Sequence, residues 1–202
     1  MANHVHFAVA FHQINDEARI KLKSMFERVR EDSPHDWFSD IFVEGDLTYE
    51  ETEKYEWTTA NIGPKWCYFE DYSAEKGDVY FTGESAWSAP TEGLQKLLGI
   101  LVEYDPKIIT SICYEDEGPN FFGVEIYDGE EMYDGSEYSY EETIDLVIKD
   151  SERLTEESYV DDEWIDEESE DVFHEEMWET ISNVQYSLIG ECEEAIKEDQ
   201  SE

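Results

Sequence analysis

The chain has 202 residues, of which 54 are acidic and 13 basic, and its formal net charge is -41. Such a charge repels DNA, RNA and anionic membrane surfaces, which excludes them as direct partners. Because 40% of the residues are hydrophobic and 14% aromatic, we expect most of the chain to fold around a core.

The acidic residues are concentrated in the second half of the chain. Residues 1–110 contain 21 acidic and 10 basic residues, whereas residues 111–202 contain 33 acidic and 3 basic residues. Residues 159–181 alone carry eleven carboxylates and no lysine or arginine. General adaptation to high salt would spread the charge over the whole chain. The uneven distribution instead predicts a dedicated acidic surface.

The N-terminal segment predicts a strand and a helix. In "HVHFAVAFHQI" the apolar residues Val5, Phe7, Val9 and Phe11 alternate with a second set that includes His4, His6 and His12, which is typical of a strand. "DEARIKLKSMFERVRED" predicts a helix that is capped by Asn15 or Asp16. Residues 33–60 predict a short helix within an irregular excursion.

The middle of the chain predicts four further strands around one helix. "PKWCYFEDYS" and "DVYFTGESAW" read as a hairpin, and "KIITSICYEDE" and "NFFGVEIYDG" as a second strand pair. The helix between these pairs, "APTEGLQKLLGILVEYD", has Pro90 in its first turn and Ser88 as a possible cap. The order indicates an α+β fold with a ferredoxin-like antiparallel sheet and helices on one face. We assign this domain to residues 1–129, with residues 33–60 as an insertion.

Residues 130–202 predict an acidic, mainly helical C-terminal extension. "EEMYDGSEYSYEET" is read as a polar connector, and "SYEETIDLVIKDSERLTEE" as a helix. A second helix follows, with an apolar residue every three or four positions along one face. We expect this apolar stripe to pack on the domain or on a second copy of the chain, as in a homodimer; it comprises Phe173, Met177, Ile181, Val184, Leu188, Cys192 and Ala195.

Three segments carry a family resemblance: "GPKWCYFEDY", "GESAWSAPTEGLQKL" and "YEDEGPNFFGVEIYDG". They resemble the YubB-type ferredoxin-like domain of plasmid- and phage-encoded proteins, at Lys65–Trp66, at 86–90 and at 114–123. The resemblance covers about residues 4–128, although "GPKW", at the start of the first segment, departs from the family's usual pattern. It implies a ferredoxin-like fold and a mobile-element origin, and it implies no catalytic residues.

Catalytic and metal-binding patterns give little support to an enzyme. The chain lacks G-x-S-x-G, P-loop, G-x-G-x-x-G and H-E-x-x-H motifs. "DGEEMYDGSEYSYE" fails the calcium-loop template, because Tyr133 stands where glycine is required. His4, His6 and His12 fall on one face of the first strand, and His4 and His6 could present two imidazoles to one metal ion. No further ligand follows at metal-binding spacing, so we interpret all three as exposed sheet-face histidines. We therefore predict no enzyme, no cofactor and no metal site.

The lack of targeting and membrane segments in the sequence, together with its cysteines, predicts a cytoplasmic location. The N-terminus has no basic segment followed by a long apolar run, so we predict no signal peptide. No stretch approaches the roughly 20 apolar residues of a membrane span. Cys67, Cys113 and Cys192 are far apart and odd in number, and we interpret the first two as buried free thiols.

The acidic half predicts mimicry of nucleic acid. A helix with every second position acidic presents one charge per about 3 Å of its axis, near the spacing of a single DNA strand. We expect this surface to bind and inhibit a basic host nucleic-acid-binding protein, such as a defence nuclease, a restriction or CRISPR complex, or a transcription regulator. The candidate partner-binding residues are Glu156, Glu157, Asp161, Asp162, Glu163, Trp164, Asp166, Glu167, Glu168, Glu170, Asp171, Glu175, Glu176, Trp178 and Glu179.

Two alternatives remain open at this point. In the first, the protein is an acidic adaptor that binds a host protein through the exposed aromatic residues Trp164, Trp178 and Tyr159, and charge only steers the encounter. In the second, an enzyme uses a cleft in the ferredoxin-like half. The sequence also leaves open whether the acidity serves mimicry or solubility, and it does not identify the target.

Overall fold

The computed structural model describes residues 3–30, 35–44, 47–118, 120–161 and 163–201. These residues form an α+β structure around a seven-stranded, fully antiparallel sheet with the order β2-β3-β4-β1-β5-β6-β7. The strands of this sheet are β1 (His4–Gln13), β2 (Asp36–Trp37), β3 (Cys67–Glu75), β4 (Asp78–Ala86), β5 (Ile109–Asp116), β6 (Phe121–Asp128) and β7 (Glu131–Ser139).

Helices and a small hairpin complete the fold. The helices are α1 (Asp16–Phe26), α2 (Tyr49–Thr52), α3 (Tyr55–Asn61), α4 (Thr91–Leu101), α5 (Tyr140–Asp150) and α6 (Glu167–Asp199). Two 3₁₀ turns lie at Phe38–Phe42 and Glu156–Ser158, and β8 (Tyr159–Val160) pairs with β9 (Glu163–Trp164). None of the helices in the described part of the chain has the length and apolarity to cross a membrane.

One face of the sheet packs against α1 and α4. The alternation predicted for β1 is confirmed, since Phe7 and Val9 are buried on this face. They join Leu22 of α1 and Leu97 of α4 in the largest apolar cluster, with Phe81 of β4 fully buried. Each of these strands and helices contributes its apolar side to the cluster, as expected for an α+β domain with helices packed on a sheet.

The other face is covered over β5 and β6 by the C-terminal half of α6. Val124 and Ile126 of β6 pack there with Ile189 and Ile196. The expectation of helices on one face therefore holds for α1 and α4, but α6 lies on the opposite face. The apolar stripe of α6 packs within the chain, as its contacts with β5 and β6 show.

The apolar stripe departs from its prediction halfway along α6. Phe173, Met177, Ile181 and Cys192 are buried as expected, but between Ile181 and Cys192 it is Ile189 that is buried, whereas Leu188 is only partly buried. A buried Gln185 lies between the two halves, and its Nε2 donates a hydrogen bond to the Gly123 carbonyl at 3.0 Å. A straight helix has 3.6 residues per turn, so the side facing a sheet moves gradually around a helix of 33 residues.

Residues 131–139 form β7, so the polar connector predicted for this segment is wrong. β7 pairs with β6 along its whole length, and Gly129 makes the tight turn between them with φ +64°. The sheet thus continues beyond residue 129, where the sequence placed the end of the first domain. The segment lacks the alternation of a half-buried strand because most of its side chains are exposed on both faces.

The "AWSAP" turn differs from the sequence prediction in its capping. α4 begins after Pro90 without a side-chain cap, and the Ser88 carbonyl instead accepts a hydrogen bond from Ser85 Oγ at 2.8 Å. Trp87 adopts a left-handed backbone conformation with φ 74°.

The insertion at 33–60 is more ordered than predicted, with β2, a 3₁₀ turn, α2 and α3 among its described residues.

Candidate functional site

The predicted partner-binding segment folds over its own apolar cluster. α5, the second 3₁₀ turn, the β8–β9 hairpin and the N-terminal half of α6 enclose this cluster, whose buried members include Phe122, Ile144, Leu154, Phe173 and Met177. The apolar residues of α6 point toward the cluster, so the intervening acidic residues face solvent. The acidic segment is therefore a folded surface rather than a tail.

We name the carboxylates of this segment the acidic surface. All of its described members are exposed except Glu176, which is half-buried. Asp162 lies outside the described residues. The other members are Glu156, Glu157, Asp161, Glu163, Asp166, Glu167, Glu168, Glu170, Asp171, Glu175, Glu176 and Glu179.

Four members form a line along α6. Glu168, Asp171, Glu175 and Glu179 follow at steps of three and four residues, which places them on one side of the helix. Steps of four residues separate the Cα atoms by about 6 Å along the helix axis. Like charges at this spacing repel and destabilise a helix by about 0.2–0.5 kcal/mol per pair. The line thus lowers the stability of the helix that carries it.

Part of the acidity has a local structural role. The Asp166 carboxylate caps α6 by accepting a hydrogen bond from the Ser169 N–H at 2.8 Å, and this bond lowers the pKa of Asp166. Glu167, Glu168 and Glu170 lie in the first turn, where the positive end of the helix dipole favours negative charge. These effects explain the residues near the helix start but not Asp171, Glu175 or Glu179.

Cations compensate little of the acidic surface. Arg153 Nη1 contacts Glu175 Oε2 at 2.7 Å and Glu176 Oε1 at 3.5 Å. Among the described residues, Arg153 is the one cation that forms ion pairs with the acidic surface. The surface consequently retains most of its negative charge.

The predicted aromatic anchors differ in exposure. Trp164 is half-buried, with its ring centroid 4.9 Å from that of Phe173, so the expectation of an exposed Trp164 is wrong. Tyr159 packs against Trp164 and the same cluster. Trp178, in contrast, is 44% exposed. Folding thus partly buries two of the three predicted anchors and leaves Trp178 exposed.

The middle of α6 is uncharged and divides its acidic residues into two groups. Residues 180–190 contain no charged side chain, and Tyr186 in this stretch is 74% exposed. A second group of exposed carboxylates follows at the helix end, at Glu191, Glu194, Glu198 and Asp199. Lys197 pairs with the neighbouring Glu193, so this second group is partly compensated.

A different cluster lies on the half of the sheet that α6 leaves open. The expected exposure of this face of β1 is confirmed for His4 and His6, which are both partly exposed next to the exposed Ala8. It is wrong for His12, whose side chain is only 19% exposed and lies 3.7 Å from Glu193 of α6. The ligand atoms of His6, Glu70 and Glu84 lie within 4.8 Å of one another. The sequence reasoning missed the two glutamates because strand pairing brings them to His6 from β3 and β4.

Comparison of the chain with protein-family models, with curated proteins and with solved structures gives no match.

Proposed function

We propose that the acidic surface mimics nucleic acid and binds a basic, nucleic-acid-binding host protein, which it thereby inhibits. The observation that carries this proposal is the combination of exposure and lack of compensation. The described carboxylates of the surface are exposed except for the half-buried Glu176, and among the described residues Arg153 is their one cationic partner. A surface that served solubility alone would have no reason to concentrate like charges along one helix.

The physical basis of such binding is counterion release. DNA presents one negative charge per about 1.7 Å of its axis and holds a layer of condensed cations. The line of carboxylates on α6 is less dense, but the carboxylates of the 3₁₀ turn and the β8–β9 hairpin add to it. A basic groove that binds this surface releases cations from it, so the affinity falls steeply as salt rises.

A mobile-element origin and a ferredoxin-like core belong to the same proposal. The order β1-α1-β3-β4-α4-β5 supports the β-α-β-β-α-β arrangement, with β2, α2 and α3 inserted after α1. The segments that resemble the YubB-type domain fall on β3, on the end of β4 with α4, and on β5 with β6. For a phage or plasmid gene, the targets would be defence nucleases, restriction or CRISPR complexes and transcription regulators.

The proposal is tested by capture from a bacterial lysate at low salt. Bound proteins are eluted by stepped salt, with and without duplex DNA as competitor. We expect a nucleic-acid-binding protein that elutes early in the salt series and is displaced by the DNA. A captured protein that resists salt and ignores DNA would contradict mimicry.

Matched variants locate the binding surface. One variant replaces four carboxylates of the acidic surface by amides, at Glu168, Asp171, Glu175 and Glu179. The control removes the same number of charges from the other end of α6, at Glu191, Glu194, Glu198 and Asp199, which are also exposed. We expect the first variant to lose the partner and the second to retain it. Equal losses would show that total charge, not the acidic surface, determines binding.

An adaptor that binds through exposed aromatic residues is the second candidate function. Trp178 and Tyr186 support it, because both are exposed on α6 next to or within its uncharged middle. Aromatic side chains are frequent anchors of protein interfaces. On this alternative, Trp178→Ala abolishes capture, whereas neutralisation of the four carboxylates only slows association.

A further inference from the structure

The open half of the sheet carries two histidines next to one glutamate. His4 and His6 alternate with buried residues of β1, so both imidazoles lie on the same face. Glu84 of β4 is the register partner of His6. His4 Nδ1 lies 3.1 Å from Glu84 Oε2, and His6 Nδ1 lies 3.4 Å from Glu84 Oε1. The two carboxylate oxygens therefore face different histidines.

Neighbouring groups hold the Glu84 carboxylate in place. The Tyr68 hydroxyl donates a hydrogen bond to Oε2, and the Trp66 ring packs edge-on against His4 with centroids 5.1 Å apart. Burial raises the pKa of Glu84, but the hydrogen bonds from Tyr68 and His4, together with the charges of His6 and His4, outweigh it and leave the pKa below its ordinary value. Oε2 is thus held by Tyr68 and His4, which leaves Oε1 directed toward His6.

Glu70 reaches the same point from β3. The β3–β4 register shifts between Phe69 and Asp71, so Glu70 lies at a bulge. Bulges of this kind redirect a side chain relative to the regular pleat. One ligand atom each from His6, Glu70 and Glu84 then lies within 4.8 Å of the others. Among the described residues, no lysine or arginine forms an ion pair with Glu70 or Glu84.

The spacing fits a metal ion of small radius. Nitrogen and oxygen ligands bind Zn²⁺ at about 2.0–2.2 Å, so two ligand atoms on one tetrahedral ion are about 3.4 Å apart. The distance between His6 Nδ1 and Glu84 Oε1 has this value. The ligand atom of Glu70 lies within 4.8 Å of both others. Glu70 has a long, exposed side chain, which can close the remaining distance by a change of rotamer.

We propose that His6, Glu70 and Glu84 bind a divalent transition-metal ion on this open face. One imidazole with two carboxylates suits Zn²⁺, Co²⁺, Ni²⁺ or Mn²⁺ better than Ca²⁺, which prefers oxygen ligands alone. Tyr68 and His4 act as positioning residues, because they bond the carboxylate oxygen that faces away from His6. Three protein ligands on an exposed face leave a fourth position for water or for a small ligand. The site is independent of the proposed mimicry.

The test is a Zn²⁺ titration of chelator-treated full-length protein by calorimetry, with excess Mg²⁺ present to occupy weak carboxylate sites. We expect one Zn²⁺ per chain, and affinity reduced at least tenfold by His6→Ala and by Glu84→Gln. Tyr68→Phe should weaken Zn²⁺ binding by about tenfold, which is typical when a metal ligand loses the hydrogen bond that orients it. His174→Ala and Glu194→Gln remove an exposed histidine and an exposed carboxylate elsewhere, and both should leave the Zn²⁺ affinity unchanged.

Three results would overturn the proposal. The first is no Zn²⁺ binding in the presence of Mg²⁺, and the second is binding that survives both His6→Ala and Glu84→Gln. The third is a thiolate-to-metal charge-transfer band when Co²⁺ replaces Zn²⁺, since this would place the metal on a cysteine such as Cys113. Circular dichroism of each variant shows whether it is folded. His6→Ala, at a partly exposed position, decides the matter if Glu84→Gln unfolds.

Discussion

The acidic surface and the open face around His6 both use carboxylate side chains, but in opposite ways. On α6, the carboxylates of Glu168, Asp171 and Glu179 face solvent and one another. On the sheet, Glu84 is bonded by Tyr68 and His4 and faces His6, and only 17% of its side chain is exposed. The comparison teaches that a glutamate's role depends on the donors around it, because these decide whether its charge is held in place or left to a partner.

The two regions are also held together differently. The open face is built on hydrogen-bonded strands, so the registers of β1, β3 and β4 fix its side chains. The acidic surface depends on the apolar cluster under α5 and α6. Loss of that cluster would therefore disorder the acidic surface, whereas His6, Glu70 and Glu84 on the sheet would move less.

The largest expected effect is that of Phe173→Ala. Phe173 is fully buried in the cluster under the acidic surface, and truncation of a buried phenylalanine costs about 3–5 kcal/mol. We expect urea unfolding to show a loss of this size, while Tyr186→Ala on the same helix changes the free energy of unfolding by about 0.5 kcal/mol or less. A small effect of Phe173→Ala would contradict the packing of α6 described above.

A smaller and pH-dependent loss is expected for Glu84→Gln in metal-free protein. Hydrogen bonds to a charged group contribute about 1.5–3 kcal/mol, and glutamine keeps one acceptor, so the expected loss at neutral pH is about 1 kcal/mol. Because the pKa of Glu84 is lowered by folding, its contribution is present above the ordinary pKa of glutamate and disappears as pH falls through the folded value. Unfolding curves of both proteins should therefore converge in acid.

The smallest effect has the opposite sign and lies on α6. Asp171→Asn with Glu179→Gln removes the three like-charge contacts along the line from Glu168 to Glu179. At about 0.2–0.5 kcal/mol per pair, the double variant should be more stable by about 1 kcal/mol at low salt. Thermal unfolding across a salt series checks this, because screening should shrink the gain. A destabilised variant would mean that these carboxylates have undetected structural partners.

Much of the sheet could be predicted from the sequence because its elements have clear periodicity. The alternation of β1, the aromatic-rich hairpin β3–β4 and the strands β5 and β6 all appear where the pattern places them. β7 could not be predicted in this way, because none of its side chains is buried and it is held by backbone pairing with β6. The second half of α6 required the structure as well, since the choice between Leu188 and Ile189 depends on the position of the sheet.

The acidic surface and the cluster around His6 also differ in how far the sequence alone predicts them. The acidic surface follows from composition and helical spacing, and its residues lie within one continuous segment. The cluster around His6 joins residues from three strands, and Glu70 and Glu84 are more than 60 positions away from His6. Only the strand register shows that they meet. Patterns of neighbouring residues cannot contain this information.

The most direct test of the central claim is the salt dependence of the captured complex. The association constant of the purified partner is measured over a salt series, with duplex DNA added as a competitor at each step. Mimicry predicts a steep linear decrease of the logarithm of the constant with the logarithm of salt, and competition by DNA at every salt concentration. A nearly flat dependence, with a partner that binds DNA and this protein simultaneously, would contradict mimicry.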